Sequence, residues 1–392
     1  MLATPARFLS IGAVHAVLHI RRGTGAANIA FFCGMAVVVG TACDQQPAKP
    51  GMFSATGSMM SARWLHTATL LPSGNVLLAG GYAGTDPLSS SDLYDPAGNA
   101  FAPTATMTLP RALHTATLLP SGRVLIAGGM NIASAELYDP ASGTFAATGT
   151  MTEARCGHSA TLLATGKVLV VGGCLLESAS AELYDPASAT FGATGSMVTA
   201  RAGGHSATLL KSGKVLVTGG TSDNISYSAS AELYDPTTET FTAINAMIAA
   251  RAYHTAVLLP SGRVLIVGGQ GVPQGGITSE TLSSAELYDP ASETFTSTGA
   301  MIASRMRHAG TLLPDGKVLV VGGLDVPPAG AAQTTLSSAE LYDPASETFT
   351  STGSLMVARE GLTATLLRTG SVLVAGGADV GSDTFASAEL YY

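Results

Sequence analysis

A doubled glycine recurs along this chain at near-regular intervals. Its first members are Gly80, Gly128, Gly172, Gly219, Gly268, Gly322 and Gly376, separated by 48, 44, 47, 49, 54 and 54 residues. Self-similarity at such a period marks supersecondary units laid side by side, each too small to bury its own hydrophobic face. The second copy, residues 114–140, displays the unit plainly. It reads H-T-A-T-L-L-P-S-G-R-V-L-I-A-G-G, then a variable M-N-I, then A-S-A-E-L-Y-D-P. Any fold proposed for the 392 residues must use this unit seven times.

Within the unit, residues 114–119 and 124–127 are runs rich in Thr, Val, Leu and Ile around Pro120-Ser121-Gly122-Arg123. Proline presets the first turn position and glycine accepts the positive φ that closes a hairpin. Gly74, Gly122, Gly166, Gly213, Gly262, Gly316 and Gly370 hold that place in the successive copies. The second run is apolar at consecutive positions, which predicts a strand covered on both faces. The glycine pair then ends it, where the backbone needs close approach or positive φ. Residues 135–138 predict a third strand, Asp139-Pro140 a turn, and residues 145–148 a fourth, more exposed strand. Met151 is expected to point towards a neighbouring unit. Four-stranded sheets covered on both faces need neighbours on both sides, and seven arranged radially satisfy that demand with only short edges.

A glycine pair after an apolar strand, a variable loop, A-E-L-Y-D-P, an aromatic strand and a following arginine together resemble the kelch repeat. The resemblance covers residues 52–392 and implies an all-β, seven-bladed propeller of four-stranded blades, similar to the central domain of galactose oxidase. It further implies that the first strand of each blade lines the central channel. Phe101, Phe145, Phe191, Phe241, Phe295 and Phe349 stand where many kelch repeats carry tryptophan. The blades are expected at about 63–107, 111–151, 155–197, 201–247, 251–301, 305–356 and 359–392. The last copy stops after its third strand, whereas residues 52–59 match a fourth. This predicts that the N-terminal segment completes the last blade and removes an open edge.

Residues 1–43 lie outside the repeat. Arg21-Arg22 precede the uncharged apolar stretch 26–42, in the order of a secretory signal. Gly40-Thr41-Ala42-Cys43 resembles the lipobox of bacterial lipoproteins, with glycine where an aliphatic residue is usual. It implies lipidation of Cys43, and residues 44–51 then form a polar tether. The basic region is long for a signal, so translation is expected to start downstream of Met1. These features predict an exported protein of the cell envelope, held to the membrane by an N-terminal lipid, periplasmic or at the cell surface.

Composition narrows the function. A formal charge of -8 without a basic cluster argues against nucleic acid as a partner. Charged residues make up only 12%, so those that repeat stand out. Arg63, Arg111, Arg155, Arg201, Arg251, Arg305 and Arg359 precede the first strands. Asp92, Glu136, Glu182, Glu232, Glu286, Glu340 and Glu389 sit in the third strands. Two roles are open for the arginines: pairing with these acids to clip the blades together, or a cationic ring at the channel mouth that binds a ligand. In kelch domains that bind peptides, arginines near this position contact acidic ligands. His66, His114, His158, His205, His254 and His308 follow six of the arginines, with Leu362 in the seventh copy. One histidine per blade cannot converge on one ion, so no metal is expected; each is expected to donate to neighbouring backbone. Cys156 and Cys174 flank one hairpin, within reach of a disulfide.

The resemblance also brings copper radical oxidases into view. These need a Tyr/Tyr/His/His copper set and a tyrosine cross-linked to cysteine, which the repeated Tyr-Asp-Pro and paired cysteines do not supply. No catalytic residue and no cofactor are therefore expected. The loops before the first strands and after the glycine pairs share one face. They are longest over residues 270–283 and 324–337. Trp64, Tyr253, Arg307 and Glu360 break the repeat symmetry there. The expected function is a monomeric binding scaffold that recognises a protein or a glycan through this loop face. The rival reading is a carbohydrate-active enzyme, oxidase- or epimerase-like, on the same scaffold.

Overall fold

The computed structural model describes residues 51–173, 178–223, 226–273, 279–327 and 332–392. Seven four-stranded antiparallel sheets account for the repeats. In the second blade the strands are Thr115–Leu118, Val124–Ala127, Ser134–Asp139 and Thr144–Thr150, in spatial order. The first strand starts one residue later than the sequence predicts, because Leu113 takes a left-handed backbone (φ 56°) that swings the chain into the strand after His114. First strands touch their neighbours in cyclic order, from Thr67–Leu70 through Thr363–Leu366 and back to Thr67–Leu70, so the ring of seven is closed.

The core is a set of layers between blades. Val124 and Ile126 pack towards the first blade with Leu77 and Ala79, whereas Leu125 and Ala127 pack towards the third with Val168 and Val170. Alternate residues of one strand thus serve opposite interfaces, which is why the run is apolar without alternation. Burying each such valine, leucine or isoleucine is worth about 1.5–3 kcal/mol. Met107, Met151, Met197, Met247 and Met301, with Leu355 in the sixth blade, fill the same layers.

Each tyrosine of the Tyr-Asp-Pro turn faces a fourth-strand phenylalanine. Tyr138 and Phe145 are register partners with ring centroids 4.9 Å apart at 51°. The closing blade repeats this across the two ends of the chain. Phe53 pairs with Tyr391 at 5.0 Å and 50°, and Ser54 is in register with Leu390. Six of the seven tyrosines also reach a threonine of the preceding blade, as in Thr148 Oγ1 to Tyr184 OH at 2.8 Å. At one seam Ile244 replaces that threonine, and the Tyr288 hydroxyl is buried without a partner among the described residues.

Candidate functional site

The repeated arginines are not on the surface. Arg63, Arg111, Arg155, Arg201, Arg251, Arg305 and Arg359 are each at most 1% exposed. Arg111 shows the arrangement. Its Nη1 donates to the carbonyls of Gly128 and Ser134, and its Nη2 to Ser134 Oγ and Glu136 Oε1 at 2.9 Å. The second carboxylate oxygen of Glu136 accepts from the backbone N–H of Thr108. The arginine carbonyl in turn accepts from Gly81 of the preceding blade. A Cβ on Gly80 would lie 2.3 Å from that carbonyl, so no other residue fits the corner. Desolvation this complete is tolerable for a guanidinium when hydrogen bonds and a carboxylate balance it; Nε of Arg63, Arg201, Arg251 and Arg305 is nonetheless without a partner among the described residues. Burial also lowers the pKa of Arg63, Arg201, Arg251, Arg305 and Arg359, against the pull of their acids. Of the two roles open in the sequence, the geometry takes the structural one. The cationic ring is corrected: none of the seven arginines is accessible to a ligand.

The histidines form a second belt. Nε2 of His114, His158, His205, His254 and His66 lies 2.9–3.1 Å from the hydroxyls of Thr67, Thr115, Ser159, Ser206 and Thr363, each on the preceding blade. Nε2 thus meets a side chain, with backbone taking part as well: His205 also approaches the Val171 carbonyl, and the backbones of Arg111 and Arg305 act on His114 and His308. Where the seventh copy has Leu362, the facing residue is Ala309, so histidine and hydroxyl are lost together. Burial, with the nearby arginines, lowers the pKa of His114, His158, His205 and His308 to about 3 and holds His66 and His254 well below 6.5. All six are neutral at physiological pH.

The residue before each of these positions lines the channel mouth in a left-handed conformation. Three are glycines, Gly157, Gly204 and Gly361, but Leu65, Leu113, Tyr253 and Arg307 have φ of 50°, 56°, 58° and 50°. Each such non-glycine residue costs about 1–2 kcal/mol. A backbone belt holds them: Leu113 N–H donates to Leu65 O, Gly157 to Leu113, Tyr253 to Gly204, Arg307 to Tyr253, Gly361 to Arg307 and Leu65 to Gly361. Strained bulky residues concentrated at one mouth are a functional signal.

The loops of four consecutive blades rise around this mouth and are laced together. Thr281 of the fifth blade exchanges hydrogen bonds with Val326 of the sixth. Thr335 Oγ1 accepts from Val380 N of the seventh, and Thr384 Oγ1 from Gly84 N of the first. These threonines occupy equivalent places in their loops and could not be singled out from sequence, where Thr is common. Inside the crown lies a hollow of about 420 Å³ lined by Trp64, Met306, Arg307, Leu324, Glu360 and Asp379 among others. It thus gathers three of the four symmetry-breaking residues of the sequence, and the fourth, Tyr253, supports it from below. The Arg307 guanidinium sits 5.2 Å from the Tyr253 ring centroid and 3.3 Å from Glu360 Oε2. Trp64 is fixed by its Nε1 donation to Gly84 O at 3.1 Å and by Tyr82 at 5.9 Å. Burial raises the Glu360 pKa, with Arg307 opposing.

The Kelch motif family matches residues 305–356, the sixth blade. The fold is that of a kelch propeller. No curated protein matches the chain. Among solved structures, a fungal alcohol oxidase of the AA5 family in complex with copper is similar at a TM-score of 0.70 and 19% identity, over 88% of this chain and 76% of that one. The likeness is one of fold. His66, His114, His158, His205 and His254 spend Nε2 on neighbouring hydroxyls, and His308 is buried with the rest. Among the described residues no three His, Cys, Asp or Glu converge as metal ligands. Cys156 is buried, and Cys174, its expected partner, lies outside the described residues, as does the leader with Cys43.

Proposed function

We propose that this kelch propeller is an exported, lipid-anchored, monomeric binding module that recognises a protein or glycan through its loop face. The Cys43 lipid and the Cys156–Cys174 bond belong to the same reading. The observation that carries it is the laced crown around Trp64, Arg307 and Glu360. Repeat copies are set by blade packing, whereas these residues are unique, strained or part-buried, and surround a preformed hollow. Loops on a rigid scaffold are the usual carriers of recognition. The enzymatic reading is less well supported, since five of the six blade histidines spend Nε2 on seam hydroxyls.

Affinity capture from the native envelope tests this, comparing the wild-type chain with Trp64→Ala/Arg307→Ala. A partner retained by the first and lost by the second is expected. Identical partners from both would reject the loop face. Mass spectrometry of the mature protein should find a lipid-modified N-terminal Cys43; an unmodified N-terminus elsewhere rejects the anchor.

A further inference from the structure

With one exception, the solvent-reached cations, though not the acids, are segregated to one face of the propeller. Arg123, Lys167, Lys211, Lys214, Arg263, Lys317 and Arg368 all follow or precede the hairpin glycines, on the face opposite the crown. Several are engaged there: Lys214 with Asp235 at 3.4 Å, Lys317 with Asp343 at 3.3 Å, and Arg263 with Glu347 at 2.9 Å. On the loop face Arg307 is the one solvent-reached cation among the described residues, 32% exposed and already tied to Glu360. Asp86, Glu153, Glu280, Asp325, Asp379 and Asp383 occupy the same face. A field of one sign over a concave surface steers and selects a partner of the other sign.

The hollow adds an unfilled acceptor. Glu360 is 6% exposed, and Arg307 meets only its Oε2. Oε1 accepts no hydrogen bond among the described residues, although Glu360 lines the hollow. Beside it stand the Trp64 ring and the apolar side chains of Met306, Leu324 and Val380. A carboxylate oxygen next to an aromatic ring and an apolar wall suits a guanidinium on a methylene stem. Arginine stacks on aromatic faces, pairs with carboxylates through a planar fork and sheds water more readily than lysine.

We infer that the partner is a protein whose contact surface is positively charged and that inserts an arginine side chain into this hollow, against Trp64 and Glu360. The inference rests on the loop-face reading above and names its partner class. It reverses the polarity that the arginine-ring precedent implies, since that ring is buried and cannot attract acidic ligands.

Trp64 is the sole tryptophan of the chain, so its fluorescence reports on the hollow directly. The full chain is titrated with tetra-arginine, tetra-lysine and tetra-glutamate peptides, and with a neutral oligosaccharide. Tetra-arginine should change the emission saturably and bind more tightly than tetra-lysine, while tetra-glutamate gives no saturable change. Raising salt from about 20 to 200 mM should weaken tetra-arginine at least threefold, because exposed charges are screened beyond a Debye length. Glu360→Gln should weaken it by about tenfold, the scale of one lost charge-assisted contact. Asp379→Asn, a more exposed change, should weaken it in the same direction. Asp185→Asn on the opposite face should leave it unchanged. Tetra-glutamate binding as well as tetra-arginine, or an unaltered affinity in both Glu360→Gln and Asp379→Asn, would overturn the inference. A saturable response to the oligosaccharide with none to tetra-arginine overturns it while leaving the loop-face reading standing.

Discussion

Acidification should unfold this propeller through its histidine belt. The folded pKa is about 3 for His114, His158, His205 and His308, and well below 6.5 for His66 and His254. Histidine is a base, so a depressed folded pKa means that the unfolded chain binds the proton more tightly. The stabilising contribution is complete above pH 6.5 and is lost as pH falls from 6.5 towards 3. At pH 5, each of the four histidines with a folded pKa of about 3 has lost about 2 kcal/mol, so these four lose about 8 kcal/mol, against a typical domain stability of about 5–15 kcal/mol. Near pH 5 these four should give a slope of about 5 kcal/mol per pH unit, to which His66 and His254 add in the same direction. Urea unfolding followed by circular dichroism from pH 8 to pH 4 measures it. The chain supplies its own control, because Leu362 faces Ala309 at the seventh seam. Copying that pair as His114→Leu/Thr67→Ala should remove one proton from the uptake and reduce the slope by about 1.4 kcal/mol per pH unit. A stability flat between pH 7 and pH 5, or a double variant with the wild-type slope, would refute the neutral buried belt.

Two further changes test the seams. Glu232→Gln leaves Arg201, fully buried and 2.9 Å from the carboxylate it loses, without a counter-charge. Unfolding free energy should fall by about 3–5 kcal/mol, measured by denaturant titration at pH 8. Ile244→Thr gives the Tyr288 hydroxyl, whose pKa burial pushes up to about 12, the partner present at the equivalent seams. Stability should rise by about 1 kcal/mol, visible as a higher thermal midpoint, and the same substitution should lower the Tyr288 pKa followed by ultraviolet titration.

The blades were readable because each local feature has one physical use repeated seven times. Gly80 and its equivalents mark the corner where the next blade's arginine carbonyl arrives, and Val124–Ala127 is apolar throughout because both its faces are buried. The join of Phe53 to Tyr391 followed from counting strands. The site was readable only in part. Trp64, Tyr253, Arg307 and Glu360 stand out against a repeat, but their meeting depends on loop height and backbone hand. Gly157, Gly204 and Gly361 hint at the left-handed belt, whereas Leu65 and Leu113 conceal it behind ordinary apolar letters. The arginines misled in their second reading because sequence shows their number and not which way they face. The confinement of the cations to one face could have been found beforehand, since it needs only the hairpin and loop positions and the side chains on each.

The closing sheet also sets an order of events. Its outer strand, Phe53–Ser58, is made before every other strand of the ring, and its partner, Ser387–Tyr391, after them. A vectorially emerging chain must therefore keep the first strand waiting while six blades assemble behind it. Contacts of such long sequence separation form late and slowly. The final latch of the ring is thus a kinetic checkpoint: until Ser387–Tyr391 is made, Phe53–Ser58 lacks its partner, and from then on the ring is closed.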